Sequence, residues 1–187
     1  MDIVLESVRK TFGDKTVIRN ATFTVKAGER VCFFGPSGCG KTTMLRLIAG
    51  LEKPDAGSIL SVPHMRFACH FQEDRLLPWY TAEKNLALVA GEAAQVWLER
   101  IRLPEAGNLY PDELSGGMRR RVSLARALSY VSDALLLDEP LRELDAETAT
   151  AMLHLIDEHV GTRSLILVTH DFAQAEALGC RIIHFPQ

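Results

Sequence analysis

No stretch of this chain stays apolar for the roughly 20 consecutive residues that a membrane-spanning helix needs, so any membrane role has to run through a partner. Cysteine is scarce. Cys32, Cys39, Cys69 and Cys180 stand apart without C-x-x-C spacing, which removes the sequence case for a zinc site or a disulfide framework and fits free thiols in a reducing compartment. An excess of positive charge is missing too: 21 Lys and Arg against 24 Asp and Glu leave a net charge of −3, which argues against nucleic acid as a partner. The opening MDIVLESVRK has no basic-then-apolar leader pattern, so a cytoplasmic protein is expected. Internal repeats, low-complexity tracts and disordered linkers are absent as well.

What is present is an ordinary globular composition, 47% hydrophobic and 24% charged over 187 residues, enough for one domain with a real core. Residues 2–9 and 16–25 alternate apolar and polar side chains as half-buried antiparallel strands do, with Gly13-Asp14 as the turn between them. Residues 30–34, RVCFF, read as a buried strand, and Met44, Leu45, Leu47 and Ile48 as the apolar side of a helix that Gly50 stops. SILSV (58–62) and MRFACHF (65–71) are further short strands. From Pro78 to Leu114 the texture changes: Leu86, Val89, Val96, Leu98 and Ile101 recur at helical spacing, broken by Gly91, Pro104 and Pro111, as in a small helical insertion. A helix to about Tyr130, strand ALLLD, helix 146–160, strand SLILVT, helix 171–178 and strand RIIHF complete the chain. Strands alternating with helices predict a parallel sheet with helices on both faces.

Three stretches carry chemistry. Gly35-Pro36-Ser37-Gly38-Cys39-Gly40-Lys41-Thr42 fits G-x-x-x-x-G-K-[ST] at every fixed position, between a strand and a helix. Glycines let successive backbone N–H groups curl around phosphate oxygens, the helix presents its positive end, Lys41 neutralises phosphate charge and the Thr42 hydroxyl ligates Mg²⁺. Cys39, inside that loop, is open to alkylation that blocks nucleotide. ALLLDE delivers Asp138 to a strand's carboxyl end, where it can hold Mg²⁺ largely through water, and Glu139 next to it, placed to polarise an attacking water. Leu114-Ser115-Gly116-Gly117-Met118 opens a basic helix, RRRVSLARAL, and forms a second anion site at a helix N-terminus. One nucleotide needs one phosphate cradle. A second cradle suggests that each copy completes the site of another.

These motifs, in this order, resemble the ATP-binding subunits of ABC transporters over essentially the whole chain. The resemblance implies an α/β fold: a RecA-like P-loop NTPase core with an antiparallel β subdomain and a small helical subdomain, about residues 73–130, all within one domain spanning 1–187. It also implies ATP and Mg²⁺ as cofactors. Phe12 looks like the aromatic that stacks on adenine, and Gly35 to Thr43 like the phosphate loop. Gln72 in HFQED looks like the glutamine that touches Mg²⁺ and senses the membrane partner. Ser115, Gly116 and Gly117 resemble the signature that contacts ATP in trans; Met118 departs from its commoner glutamine where the serine and glycines make the contacts. Asp138 then serves as a metal ligand with Thr42 and Gln72, and Glu139 and His170 as catalytic residues. Asp145 in LRELD resembles the loop that contacts the opposite subunit, although Arg142 and Glu143 replace the small residues usual there.

By the same resemblance two copies pack head to tail, hydrolysis loosens the sandwich, and water is the acceptor. The partners implied are integral-membrane permease subunits docking near Gln72–Trp79 and, indirectly, a solute-binding protein; the chain lies on the inner face of the cell membrane through the permease. Residues 72–79, QEDRLLPW, look like the string found in importer ATPases for nitrate, sulfonates and taurine, and importers of pyrimidine precursors are equally compatible. From Gln72 to Ser115 there is room for a few short helices and none for a coiled-coil arm, unlike repair relatives, and one cassette sets it apart from tandem translation factors. The chain stops two residues after RIIHF, an end expected to weaken dimerisation of the isolated subunit. The competing class, a phosphoryl-transfer kinase, needs an acceptor lid and has no use for LSGGM. A degenerate cassette would not keep Lys41, Asp138, Glu139 and His170 together.

Overall fold

The computed structural model describes residues 2–60 and 65–185; Ser61 and Val62 of the expected strand 58–62, and the chain end beyond 185, lie outside them. In chain order come β1 (Ile3–Phe12), β2 (Lys15–Val25), β3 (Arg30–Phe34), α1 (Lys41–Ile48), β4 (Ala56–Leu60), β5 (Phe67–His70), α2 (Ala82–Ala90) and α3 (Ala94–Arg100). Then follow α4 (Gly116–Ser129), β6 (Ala134–Asp138), α5 (Ala146–Val160), β7 (Ser164–Val168), α6 (Phe172–Ala177) and β8 (Arg181–His184). The chain divides into two compact units, one of Met1–Cys69, Ser132–Glu139 and Thr162–Gln187, the other of His70–Val131 and Pro140–Gly161.

The first unit holds two sheets. In the smaller, β1 lies between β2 and β4 and pairs antiparallel with both, Leu5 opposite Phe23 on one side and opposite Ile59 on the other. Ile3, Leu5, Ile18, Ala21 and Val25 are buried in the core, alternation linking Ile3 to Leu5 and Ala21 to Val25 while a register shift between β1 and β2 resets the phase at Ile18. A bulge at Ser7, whose φ is 51°, shifts the register on both sides. Gly57 of β4 crosses this bulge so closely that a Cβ would sit 2.3 Å from the Ser7 carbonyl oxygen. The strand 65–71 begins later than expected, at Phe67.

The larger sheet runs β5-β6-β7-β3-β8, with β6–β7, β7–β3 and β3–β8 parallel. Every residue of β6 and β7 is buried, and both read as unbroken apolar runs because a parallel strand covered on two faces has no solvent side. Parallel order also brings the carboxyl ends of β3, β6 and β7 to one edge, with the phosphate loop, Glu139 and His170 next in the chain.

The second unit packs α2, α3, α4 and α5 around Leu86, Leu98, Ile101, Leu124, Leu128, Met152 and Ile156, so it takes in α5 beyond the stretch 73–130. Val96 does not belong to this core: it is 47% exposed, and Trp97 is buried in its place. A 3-10 turn at Gly91–Ala93 separates α2 from α3, so helical phase read straight through from Leu86 mis-sets the next face.

Candidate active site

β3 ends at Phe34 and α1 begins at Lys41, with the glycine loop between. Gly40 takes φ 104°, a left-handed conformation, and a Cβ there would press 3.0 Å from Val17. Gly40 offers the helix no side-chain cap, and the first intrahelical bond in the loop region runs from Met44 N–H to Gly40 O at 2.9 Å. The N–H groups of Lys41, Thr42 and Thr43 therefore precede the helical ladder and form a cradle of donors for an anion. The Lys41 ammonium donates to the carbonyls of Gly35 and Pro36, each at 2.8 Å, and lies 3.7 Å from Cys39 Sγ, which places its charge inside the loop. Pro36, Ser37 and Gly38 are exposed along the rim.

Across from this loop, the Thr42 hydroxyl donates to Asp138 Oδ2 at 2.6 Å. Asp138 is fully buried, and its other oxygen, Oδ1, has no hydrogen-bond partner. Burial pushes its pKa up, against the pull of the Thr42 hydrogen bond. An orphaned, dehydrated carboxylate oxygen beside a hydroxyl is a fitting donor set for a hard divalent cation. The described residues hold no group of three or more His, Cys, Asp or Glu able to bind a metal, so such an ion would complete its shell with phosphate oxygens and water.

Glu139 leaves β6 with φ 47°, and its N–H donates to Val168 O at 2.8 Å. A non-glycine residue in that region costs on the order of 1–3 kcal/mol and persists where its neighbours over-determine it. Its largely buried carboxylate lies 3.7 Å from Nδ1 of His170, whose ring is 71% exposed just past β7. Thr169 holds the turn there, its hydroxyl donating to Gln174 and accepting from the Asp171 N–H. Phe12 sits at the tip of β1 with its ring exposed. The first unit thus brings together Gly35 to Thr43, Asp138, Glu139 and His170.

Ser115, Gly116, Gly117, Asp145 and Gln72 belong to the second unit. Ser115 caps α4, its Oγ accepting from the Met118 N–H at 3.2 Å. A Cβ on Gly117 would meet the Leu144 side chain at 3.3 Å, a tight contact that a shift of that side chain by a few tenths of an ångström would relieve. Asp145 caps α5 by accepting from the Thr148 N–H at 2.9 Å, which holds its carboxyl below the usual range. Gln72 is exposed, and its carbonyl accepts from Arg120 at 3.1 Å. Arg120 went unremarked among the arginines of RRRVSLARAL, yet it is buried and paired with Asp74 at 3.6 Å. Asn85 was missed too. Fully buried, its amide group bonds the backbone of Leu77, Tyr80 and Thr81 and so fixes the turn that displays Trp79, 67% exposed. Only its apolar neighbours on α2 could have hinted at that role.

Comparison with known proteins matches residues 18–142 to the ABC transporter family. The chain is similar to an aliphatic sulfonates import ATP-binding protein, SsuB 1, of Burkholderia cenocepacia, at 43% identity over 99% of this chain and 61% of that protein, so it spans about three-fifths of that relative's length. SsuB 3 of Pseudomonas syringae pv. tomato, of the same description, is 41% identical over 97% of this chain and 72% of its own length. Among solved structures, the ATP-binding cassette MJ0796, a dimer in a post-hydrolysis state bound to ADP and Pi, superposes with a TM-score of 0.87 at 30% identity, covering 98% of this chain and 94% of that one. A further dimeric structure of MJ0796, described as a bacterial ABC transporter cassette, gives 0.84 at 31% identity over the same shares. The family match over residues 18–142 and the relatives at 41–43% identity show that the chain belongs to the ABC transporter family.

Proposed function

We propose that this chain is the nucleotide-binding subunit of an importer, hydrolysing ATP to drive head-to-tail closure of two copies. The observation that carries the reading is the pair Thr42–Asp138, with its one unpartnered buried oxygen, beside a loop whose amides and Lys41 are arranged for phosphates. Lys41 and the N–H groups at the start of α1 bind the phosphates; Thr42, Asp138 and Gln72 are the candidate ligands of Mg²⁺. A bound Mg²⁺ supplies charge neutralisation on the phosphate oxygens. Glu139 orients a water toward the γ-phosphorus and takes its proton as the new P–O bond forms and the bond to ADP breaks. His170, beside Glu139, reaches the γ-phosphate. Ser115, Gly116 and Gly117 of one copy complete the cradle of the other, with Asp145 near the seam; the dimeric state of the MJ0796 cassettes supports that assembly.

The same reading puts the subunit on the inner face of the membrane against a permease. No helix among the described residues is long and apolar enough to cross a membrane, and the turn fixed by Asn85 offers Trp79 as an apolar docking element. The relatives named for aliphatic sulfonate import favour a sulfonate-type cargo, delivered by a solute-binding protein. Glu139→Gln tests the chemistry: turnover should fall about 10²–10⁴-fold, as when a positioned base is removed, while ATP affinity measured calorimetrically stays near that of the native chain. Unchanged turnover would mean that Glu139 is not the base.

A further inference from the structure

Phe12 does not stand alone at the tip of β1. Lys10 lies two residues earlier, and its ammonium sits over the Phe12 ring, 5.1 Å from the centroid. That ammonium is fixed from the other side: it donates to Lys53 O at 2.8 Å, lies 3.4 Å from Asp55 Oδ1 and 3.7 Å from Glu52 Oε2, and its side chain is only 12% exposed. The segment 52–55 is itself stitched to β1. Thr11 N–H donates to Asp55 Oδ2 at 2.6 Å, and Asp55 N–H donates to Arg9 O at 2.9 Å. Asp55 is held ionised by these donors, the Thr11 amide first.

We infer that Lys10 is a positioning residue for the nucleotide base, holding Phe12 and polarising its ring from one face so that a purine stacks on the other. The inference rests on the nucleotide reading above and names what sets its base preference. Two physical effects combine. A cation over one face draws π density toward itself, leaving the opposite face better matched to an electron-rich purine. The tether to residues 52–55 also fixes the exposed ring relative to the end of α1, the helix whose other end forms the phosphate loop. Base and triphosphate are thereby measured off against one short rigid element. Lys10 touches neither phosphate nor metal in this scheme, so it should act on the base alone.

Equilibrium binding of Mg-ATP and of Mg-tripolyphosphate, which has no base, separates the two contributions. Lys10→Met should weaken Mg-ATP about three- to tenfold, the span of a partly desolvated cation–π contact, and leave Mg-tripolyphosphate unchanged; Lys10→Arg should restore the ATP affinity. In a Phe12→Leu background, Lys10→Met should have no further effect, because the ring through which it acts is gone. Asp55→Asn, which loosens the tether without touching the strand core, should shift ATP affinity in the same direction by less. Lys10→Met binding ATP as tightly as the native chain overturns the inference and leaves the nucleotide site standing. So does an equal loss of tripolyphosphate, or an undiminished effect without Phe12. A native chain that binds neither ligand brings down the nucleotide reading itself, and this inference with it.

Discussion

Burial lifts the Asp138 pKa above that of an unfolded aspartate, and one of its oxygens goes without a hydrogen bond. A carboxyl whose folded pKa is raised favours the fold below the unfolded pKa, and that advantage is lost as pH rises through the folded value. Ionised Asp138 is therefore a burden on the native state at neutral pH. Asp138→Asn keeps an acceptor for Thr42 and removes the buried charge. It should raise the melting midpoint at pH 7, by about 2–4 °C for each kcal/mol relieved in a domain of this size, and the gain should shrink as pH falls through the raised folded pKa toward the ordinary aspartate range, because the native acid takes up its proton before the unfolded one does. Scanning calorimetry across that range checks it; a variant that melts lower than the native chain at pH 7 contradicts the assignment. Glu139, held at φ 47° next to it, is the second residue kept in a costly state at this edge.

Among elements, the pattern of apolar residues located most strands and helices because each signal is local. ALLLD and SLILV read as buried strands, the alternation of residues 2–9 and 16–25 as a hairpin, and Gly50, at φ 71°, as the stop after α1. The glycine loop between β3 and α1 was legible for the same reason: a strand, a turn and a helix N-terminus are written in consecutive residues. What stayed illegible depends on pairing across the chain. Nothing near residue 7 announces that β4 will cross it, nor does the composition of β1 say that it pairs on both edges. Arg120, Asn85 and Lys10 take their roles from carbonyls, carboxylates and a ring that meet them only on folding. The Ser7 bulge gives this level its test. Gly57→Ala places a Cβ 2.3 Å from the Ser7 carbonyl at φ 78°, where alanine is strained even in open space. It should cost about 2–4 kcal/mol, the upper range of single substitutions, in urea unfolding, whereas Gly91→Ala, at φ 57° with nothing within 4 Å, should cost less. Equal losses would mean that the crossing at Ser7 is not the source of the strain.

At the scale of the whole molecule, each chain carries a phosphate loop in one compact unit and a capped serine-glycine turn in the other. The MJ0796 cassettes, which share this fold, are dimers. On the proposed function, assembly becomes part of the active site, so that closure completes the catalytic site and hydrolysis loosens the pair. Ser115 is exposed, so an arginine there is accommodated at the surface, at the cost of a helix cap worth about 1 kcal/mol, while its added charge opposes the positive end of α4. Lys41→Ala removes the ammonium from the loop and leaves Ser115 untouched. Each variant should be inactive on its own. The most direct measurement is the ATPase rate of the two purified variants mixed at equal concentration, followed alongside light scattering. Activity that neither variant possesses, rising with the mixed dimer, is the expected result, since one composite site then joins an intact Lys41 to an intact Ser115. A mixture that forms mixed dimers and stays as inactive as its parents would contradict a site shared between two copies.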